Sequence, residues 1–314
     1  MMTRREYLKL SLAAGVALAL KPSIMWADDK DLPLITRTIP GTDEKVPVVG
    51  LGSSATFRSV AEEGEYERLK EVFSRLAEHE NSVFDTAPGY GASEEVAGRL
   101  VNELGVKDKI FWATKLNVAP RGGGSADREE AKQQLERSFD YVQKDPIDLI
   151  QVHNLGDVDT QVPILKEQKE EGRIRYLGVT TTFPRQYELL EDVMEKYELD
   201  FIGVDYAIDN HTMEERIFPM ARDKGIGVLV YAPFGRTRLW EKVDGKEVPG
   251  WAAEFDAHTW GQFFLKWVVS NPVVTAATPA TSRPRHMADN MGAALGKLPD
   301  EEMRERMVSY IDSL

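Results

Sequence analysis

The chain has 314 residues, 42% of them hydrophobic and 29% charged, and no cysteine. The missing thiols exclude a disulfide scaffold, a thiol nucleophile, zinc–thiolate sites and iron–sulfur clusters. A net charge of −13 argues against nucleic acid and anionic membranes as partners, because both call for a basic surface.

In chain order, Arg4 and Arg5 come first, followed by an apolar run from Leu10 to Leu20 and then Ala27. As a helix that run rises about 16 Å, short of a bilayer core of about 30 Å. A basic start, a short apolar run and a small residue in that order read as a signal peptide over residues 1–27, with an uncleaved anchor as the alternative. The order Thr3-Arg4-Arg5-Glu6-Tyr7-Leu8-Lys9 is similar to the twin-arginine export motif, and Lys21 after the apolar run suits the same route. The expectation is a periplasmic protein handled by the twin-arginine machinery, and a cysteine-free chain suits an oxidising compartment. The segment holds four basic residues and one acidic residue, so the chain from Asp28 onward carries −16.

Residues 28–314 read as one domain. Leu34–Thr38 and Glu44–Pro47 flank Pro40-Gly41-Thr42-Asp43, a hairpin pattern. Eight short apolar runs follow: Val48–Leu51, Ser82–Ala87, Ile110–Leu116, Leu149–His153, Tyr176–Thr180, Phe201–Tyr206, Val228–Ala232 and Val273–Thr278. Most are continuous rather than alternating, as in parallel strands covered on both faces. Helical periodicity fills the intervals Glu65–His79, Ser93–Glu103, Asp127–Val142 (with Ser125 as candidate N-cap), Arg185–Glu198, Met213–Lys224 and His258–Ser270. In the first, Tyr66, Leu69, Val72, Phe73 and Leu76 form one stripe. Eight strand–helix repeats in one domain predict an α/β fold, a (β/α)₈ TIM barrel whose floor the hairpin plugs. The runner-up is an open doubly wound sheet. It lacks support because the nearest glycine pattern, Gly50-Leu51-Gly52-Ser53-Ser54-Ala55, does not open directly into a helix. Residues 235–257 form the longest irregular stretch, on the expected catalytic rim.

Sites in such barrels lie at the C-terminal ends of the strands. Asp85, Lys115 and His153 occupy that position on three neighbouring strands, and Tyr90 follows Asp85 on the loop. Singly, each is an ordinary cap, surface cation, core histidine or surface aromatic; together they suit carbonyl reduction. A hydride arriving at a carbonyl carbon leaves charge on oxygen, and that oxygen needs a proton. Tyrosine is a weak acid, with an ordinary pKa of about 10. A neighbouring ammonium is expected to lower it, a carboxylate makes the buried ammonium tolerable, and a histidine can hold the carbonyl oxygen.

The sequence resembles the aldo-keto reductase family over roughly Val48 to Ala294. The resemblance rests on Phe84-Asp85-Thr86-Ala87-x-x-Tyr90-Gly91, Asp148-Leu149-Ile150-Gln151-Val152-His153, Gly172-Arg173-Ile174-Arg175-Tyr176-Leu177-Gly178-Val179 and Tyr231-Ala232-Pro233-Phe234-Gly235. It implies a metal-free barrel enzyme that reduces aldehydes or ketones with NADPH. Tyr90 would be the general acid, Lys115 paired with Asp85 its tuner, and His153 the residue that positions the substrate oxygen. It also places cofactor contacts at Ser53, at Thr180 and Thr181, and at Tyr231, Pro233 and Gly235, with Tyr231 stacking on nicotinamide. Arg283 would meet the 2′-phosphate, with Asp289 and Asn290 near the adenine. Three positions depart from the common family pattern: Thr180-Thr181 replaces Ser-Asn, Gly203 replaces Gln, and Asp205 replaces Asn.

Five histidines with no HxxxH or HxH spacing, and no GxSxG elbow, leave metal hydrolysis and serine hydrolysis without support. The expected activity is NADP-dependent interconversion of a small carbonyl compound and its alcohol, with the cofactor carried out on the folded protein. The alternative is a nicotinamide-binding sensor or accessory subunit on the same barrel. Pocket residues are expected from Ser54–Arg58, Asn117–Gly124, Leu155–Asp159 and Gly235–Trp251, where Trp240 and Trp251 either line the pocket or pack.

Overall fold

The computed structural model describes residues 32–54, 56–120 and 124–314; the export signal read over residues 1–27 lies outside them. The hairpin is present, with β1 (Thr36–Thr38) and β2 (Lys45–Pro47) pairing antiparallel and Thr36 opposite Pro47. Gly41 takes the left-handed conformation that its turn needs (φ 75°). Thr42 fastens the turn by donating to the Ile39 carbonyl and accepting from the Glu44 amide.

Eight strands form one parallel sheet in chain order. They are β3 (Leu51–Gly52), β4 (Ser82–Asp85), β5 (Ile110–Leu116), β6 (Ile147–Val152), β7 (Ile174–Thr181), β8 (Phe201–Asp205), β9 (Gly227–Tyr231) and β10 (Val274–Ala277). Parallel bridges Val49–Ala277 and Gly52–Ala280 join the two edge strands, and the Gly50 amide donates to the Ala277 carbonyl at 2.9 Å. The sheet thus curls into the expected barrel, and all eight predicted strands are found within a few residues of their predicted bounds.

The helices among the described residues are α1 (Thr56–Glu63), α2 (Tyr66–Leu76), α3 (Ser93–Leu104), α4 (Arg128–Val142), α5 (Val158–Glu170), α6 (Tyr187–Lys196), α7 (Ile217–Lys224), α8 (Arg238–Lys242), α9 (Trp260–Ser270), α10 (Pro284–Gly292) and α11 (Glu301–Asp312). The stripe on α2 buries Leu69, Val72, Phe73 and Leu76 as its spacing predicts. The cap of α4 is Asp127 rather than Ser125: its carboxylate accepts the Glu130 amide at 2.8 Å. Helices α1, α5, α10 and α11 had no forecast. In α5 the apolar residues Val162, Ile164 and Leu165 crowd around an internal Pro163, which hides the helical period. The stretch 235–257 is less irregular than expected. It holds α8 and a 3₁₀ turn, Gly250–Phe255, pinned by aromatic contacts. Trp240 packs on Phe234 and Phe264 while keeping an exposed face, and Trp251 packs on Phe263 and Tyr310.

Side chains of a strand alternate between its faces. Inside the barrel, Val83, Phe111, Leu149, Phe201, Leu229 and Ala276 form a floor layer, into which the hairpin inserts Ile39 and Val46. A polar clamp fixes this plug. Arg175 pairs with Glu44 of the hairpin loop and with Asp148, and Tyr176 donates to Glu44 at 2.8 Å. Buried Asp148 also accepts the Trp112 amide at 2.7 Å and Lys144 Nζ. Asp148→Ala would leave the buried Trp112 amide without its acceptor and take one acceptor each from Arg175, which keeps Glu44, and Lys144, which keeps the Ile110 carbonyl. Its expected cost is about 2–3 kcal/mol, below that of a fully buried pair because both cations retain some water. A denaturant midpoint equal to wild type would contradict this.

Candidate active site

The period that sends Val83, Phe111 and Leu149 to the floor sends Asp85, Lys115 and Gln151 to the same interior nearer the mouth. His153 follows at the end of β6. Four of the predicted site residues meet there. Lys115 Nζ donates to both Asp85 oxygens and to the Thr86 carbonyl, each at 2.7 Å. Both side chains are buried, at 1% and 5% exposure, so bulk solvent cannot replace these bonds. Lys115 Nζ lies 5.7 Å from the centre of the Tyr90 ring. The Tyr90 and His153 rings meet edge to face at 6.0 Å.

Electrostatics assign the protonation states. Burial pushes the Asp85 carboxyl up and the Lys115 ammonium down, and each shift is opposed by the partner's charge. His153 is pushed down to about 3, by burial first and the Lys115 charge second, so its imidazole is neutral. Its buried Nδ1 has no partner among the described residues. The expected lowering of Tyr90 by Lys115 is not what the geometry gives. Burial, and then the Asp85 charge, push the phenol well above its ordinary value, against the pull of Arg236. Lysine has three donors, and Asp85 and Thr86 take all of them. Tyr90 therefore holds its proton through the neutral range.

The sequence model of the Aldo/keto reductase family matches residues 48–307. This chain belongs to the aldo/keto reductase family. It is 27% identical over 261 residues to a probable aldo-keto reductase 1 of Glycine max, covering 71% of this chain and 73% of the relative. It is 28% identical over 246 residues to an NADH-specific methylglyoxal reductase of Escherichia coli, covering 71% and 73%. A solved aldo/keto reductase from Klebsiella pneumoniae, in complex with NADP and acetate, superposes with a TM-score of 0.70 at 22% identity, over 89% of this chain and 96% of that one.

The remaining predicted positions of this aldo/keto reductase fall into two groups. On the rim, Ser53 follows β3 with a buried hydroxyl that has no partner among the described residues, and Thr278 after β10 and the Gln151 carbonyl oxygen are in the same state. Pro233 and Gly235 are buried in the turn after β9. Thr180 and Thr181 are already engaged. Thr180 accepts the Asn154 amide at 3.0 Å, while Thr181 donates to Gln186 at 2.6 Å and accepts the Phe183 amide. Thr180 braces the loop after His153, where Asn154, Leu155 and Asp157 all have positive φ (55°, 52° and 36°), and Thr181 braces the loop after β7. Around the loop after β10, Arg283 is exposed at the cap of α10. Asp289 accepts from Thr259 at 2.9 Å, tying α10 to the cap of α9, and Asn290 is buried.

Two residues escaped the sequence reading. Arg68 on α2 donates to the Ser282 carbonyl at 2.8 Å and so stands beside Arg283; 214 residues separate the partners, and no local pattern reveals the contact. Gln151 lies two residues before His153 on the same face of β6, which was the available signal. Its amide donates to the Tyr231 hydroxyl at 2.8 Å, and that hydroxyl donates to Asp85 at 2.9 Å. A cavity of about 840 Å³ lies beside His153, lined in part by Asn117, Pro120, Asn154, Phe183 and Arg185. Two of the expected loops thus contribute, joined by an unforecast one after β7. No group of side chains able to hold a metal ion occurs among the described residues.

A neutral His153 and a protonated Tyr90 in the free enzyme predict a flat profile of kcat/KM for carbonyl reduction from about pH 5 to about pH 9. His153, depressed to about 3, adds no acidic limb near its ordinary value. An inflection near pH 6.5 in wild type that is lost in His153→Gln would contradict the assignment.

Proposed function

We propose that this chain is an NADPH-dependent reductase of a small aldehyde or ketone, running in reverse on the alcohol when the cofactor is oxidised. The observation that carries the reading is the meeting of protonated Tyr90, neutral His153 and the buried Lys115–Asp85 pair beside a cavity. The residues present fit a nicotinamide dinucleotide. Ser53 Oγ, Gln151 Oε1 and Thr278 Oγ1 are buried polar atoms that await partners at the rim. Arg68, Arg283 and Arg285 gather near the loop after β10 in an otherwise acidic protein. The field of Arg285 and Arg283 adds to burial in lowering His286, which suits an anionic phosphate. Tyr231 offers a ring face at the end of β9.

When bound, the cofactor supplies the hydride. The chain does the rest. Imidazole N–H of His153 orients the carbonyl oxygen from the cavity side. As charge gathers on that oxygen, Tyr90 gives up its hydroxyl proton, and the new O–H bond leaves a phenolate. The Lys115 ammonium, about one ring away, stabilises the phenolate at that moment, in a low-dielectric site where its charge acts strongly. Solvent then returns a proton to Tyr90.

Location is part of the proposal. The twin-arginine pattern at Thr3–Lys9 supports export of a folded protein that carries its cofactor, with a second substrate recycling it in the periplasm. The test uses chain recovered from a periplasmic fraction. It is expected to release nicotinamide on denaturation, and Tyr90→Phe is expected to lose about a thousandfold in turnover while binding the cofactor as wild type does. Turnover that survives Tyr90→Phe overturns the enzymatic reading in favour of a cofactor-binding sensor. A chain confined to the cytoplasm overturns the export reading.

A further inference from the structure

We propose that Tyr231 is a positioning residue for the catalytic ion pair, its hydroxyl held between Gln151 and Asp85 in a space that Gly203 leaves open. The inference rests on the function proposed above and adds a member to its machinery. An ionised Asp85 can only accept hydrogen bonds. The Tyr231 hydroxyl, 2.9 Å from Asp85 Oδ2, is therefore the donor in that contact. Its lone pair then receives the Gln151 amide N–H at 2.8 Å. This orients Gln151 with Nε2 toward the tyrosine and leaves Oε1 as the buried atom without a partner. A directed chain crosses the barrel from β6 through β9 to β4 and ends on Asp85, the carboxylate that also accepts from Lys115.

The chain matters because of what lysine is. An ammonium on a flexible stem has no orientation of its own and sits where its acceptors sit. Two of the three acceptors of Lys115 belong to one carboxylate, and that carboxylate can turn about its last bond. Tyr231 adds a third anchor from a stiff ring, fixing Asp85 Oδ2 and, through it, the ammonium 5.7 Å from the Tyr90 ring. Gly203 is what admits the ring. A Cβ at that position would stand 2.4 Å from Tyr231 Cε2 and 2.7 Å from its hydroxyl. A methyl group there displaces the ring and breaks the bond to Asp85.

Tyr231→Phe keeps the ring and removes the hydroxyl. Its kcat is expected to fall on the order of tenfold with cofactor affinity unchanged. The acidic limb of its kcat profile should move toward neutral pH, because Asp85 has lost a donor that favours its charged form. Gly203→Ala should reproduce the loss in wild type and add nothing in a Tyr231→Ala background, a coupling that a double-mutant cycle reads directly. Independently of turnover, the ¹⁵N-lysine NMR signal of the Lys115 ammonium, protected by three hydrogen bonds in wild type, is expected to broaden in Tyr231→Phe. A wild-type kcat and pH profile in Tyr231→Phe, equal costs of Gly203→Ala in both backgrounds, or an unchanged Lys115 signal would overturn the inference. A Lys115 signal that responds while Tyr90→Phe retains full turnover would overturn the proposed function and support the positioning.

Discussion

One buried ion pair sets the terms for the rest of this molecule. Taking a carboxylate and an ammonium out of water is costly, and their mutual attraction offsets that cost only when geometry is good and the remaining polar positions are filled. The Lys115–Asp85 pair meets the condition with three bonds of 2.7 Å to the ammonium and a further donor on the carboxylate. A parallel barrel suits the task. Strand alternation fixes which side chains enter the interior, and strand registry fixes their height, so Asp85 lies beside Ala113 in the ladder and Lys115 beside Gln151. The floor below is apolar and closed by the hairpin. Charge inside the barrel is therefore confined to the mouth, where a substrate can feel it.

That confinement explains why the protonation states depart from a simple expectation. Near a bare ammonium, a phenol should ionise more easily. Here the ammonium is matched by Asp85 and all its protons are committed, so burial and the Asp85 charge dominate and Tyr90 stays a proton donor in reserve. In the proposed mechanism Lys115 contributes by being fixed 5.7 Å from the Tyr90 ring centre when phenolate forms. The same charge, added to burial, keeps His153 neutral, a state in which it can hold a carbonyl oxygen without competing with Tyr90 for the role of acid.

Much of this was legible in the sequence, and the reason is local. Asp85, Lys115 and His153 announce themselves as ionisable residues at the ends of apolar runs, and Tyr90 follows within the same loop. The eight runs were visible because parallel strands covered on both faces have little polar interruption. Other features depend on contacts far apart in the chain and left no such trace. Arg68 reaches Ser282 from an ordinary amphipathic helix, and α5 is obscured by Pro163. The tie between Tyr231 and Asp85 joins residues 146 positions apart. Gly203 is the instructive case. In the sequence it looked like a missing contact, a glycine where the family resemblance called for an amide. In the fold it is the space that a tyrosine ring fills. Thr180 and Thr181 show hydrogen bonds that the sequence did not reveal, to Asn154 in the loop after His153 and to Phe183 and Gln186 in the loop after β7.

The central claim is that the Lys115–Asp85 pair, held in place by its surroundings, governs the chemical step rather than cofactor binding. The most direct measurement is the single-turnover rate of hydride transfer in Asp85→Asn, with the cofactor bound before mixing and the fold checked by circular dichroism. The account predicts a folded, cofactor-bound variant whose hydride transfer is slower by at least about a hundredfold. Hydride transfer at the wild-type rate in that variant would contradict it.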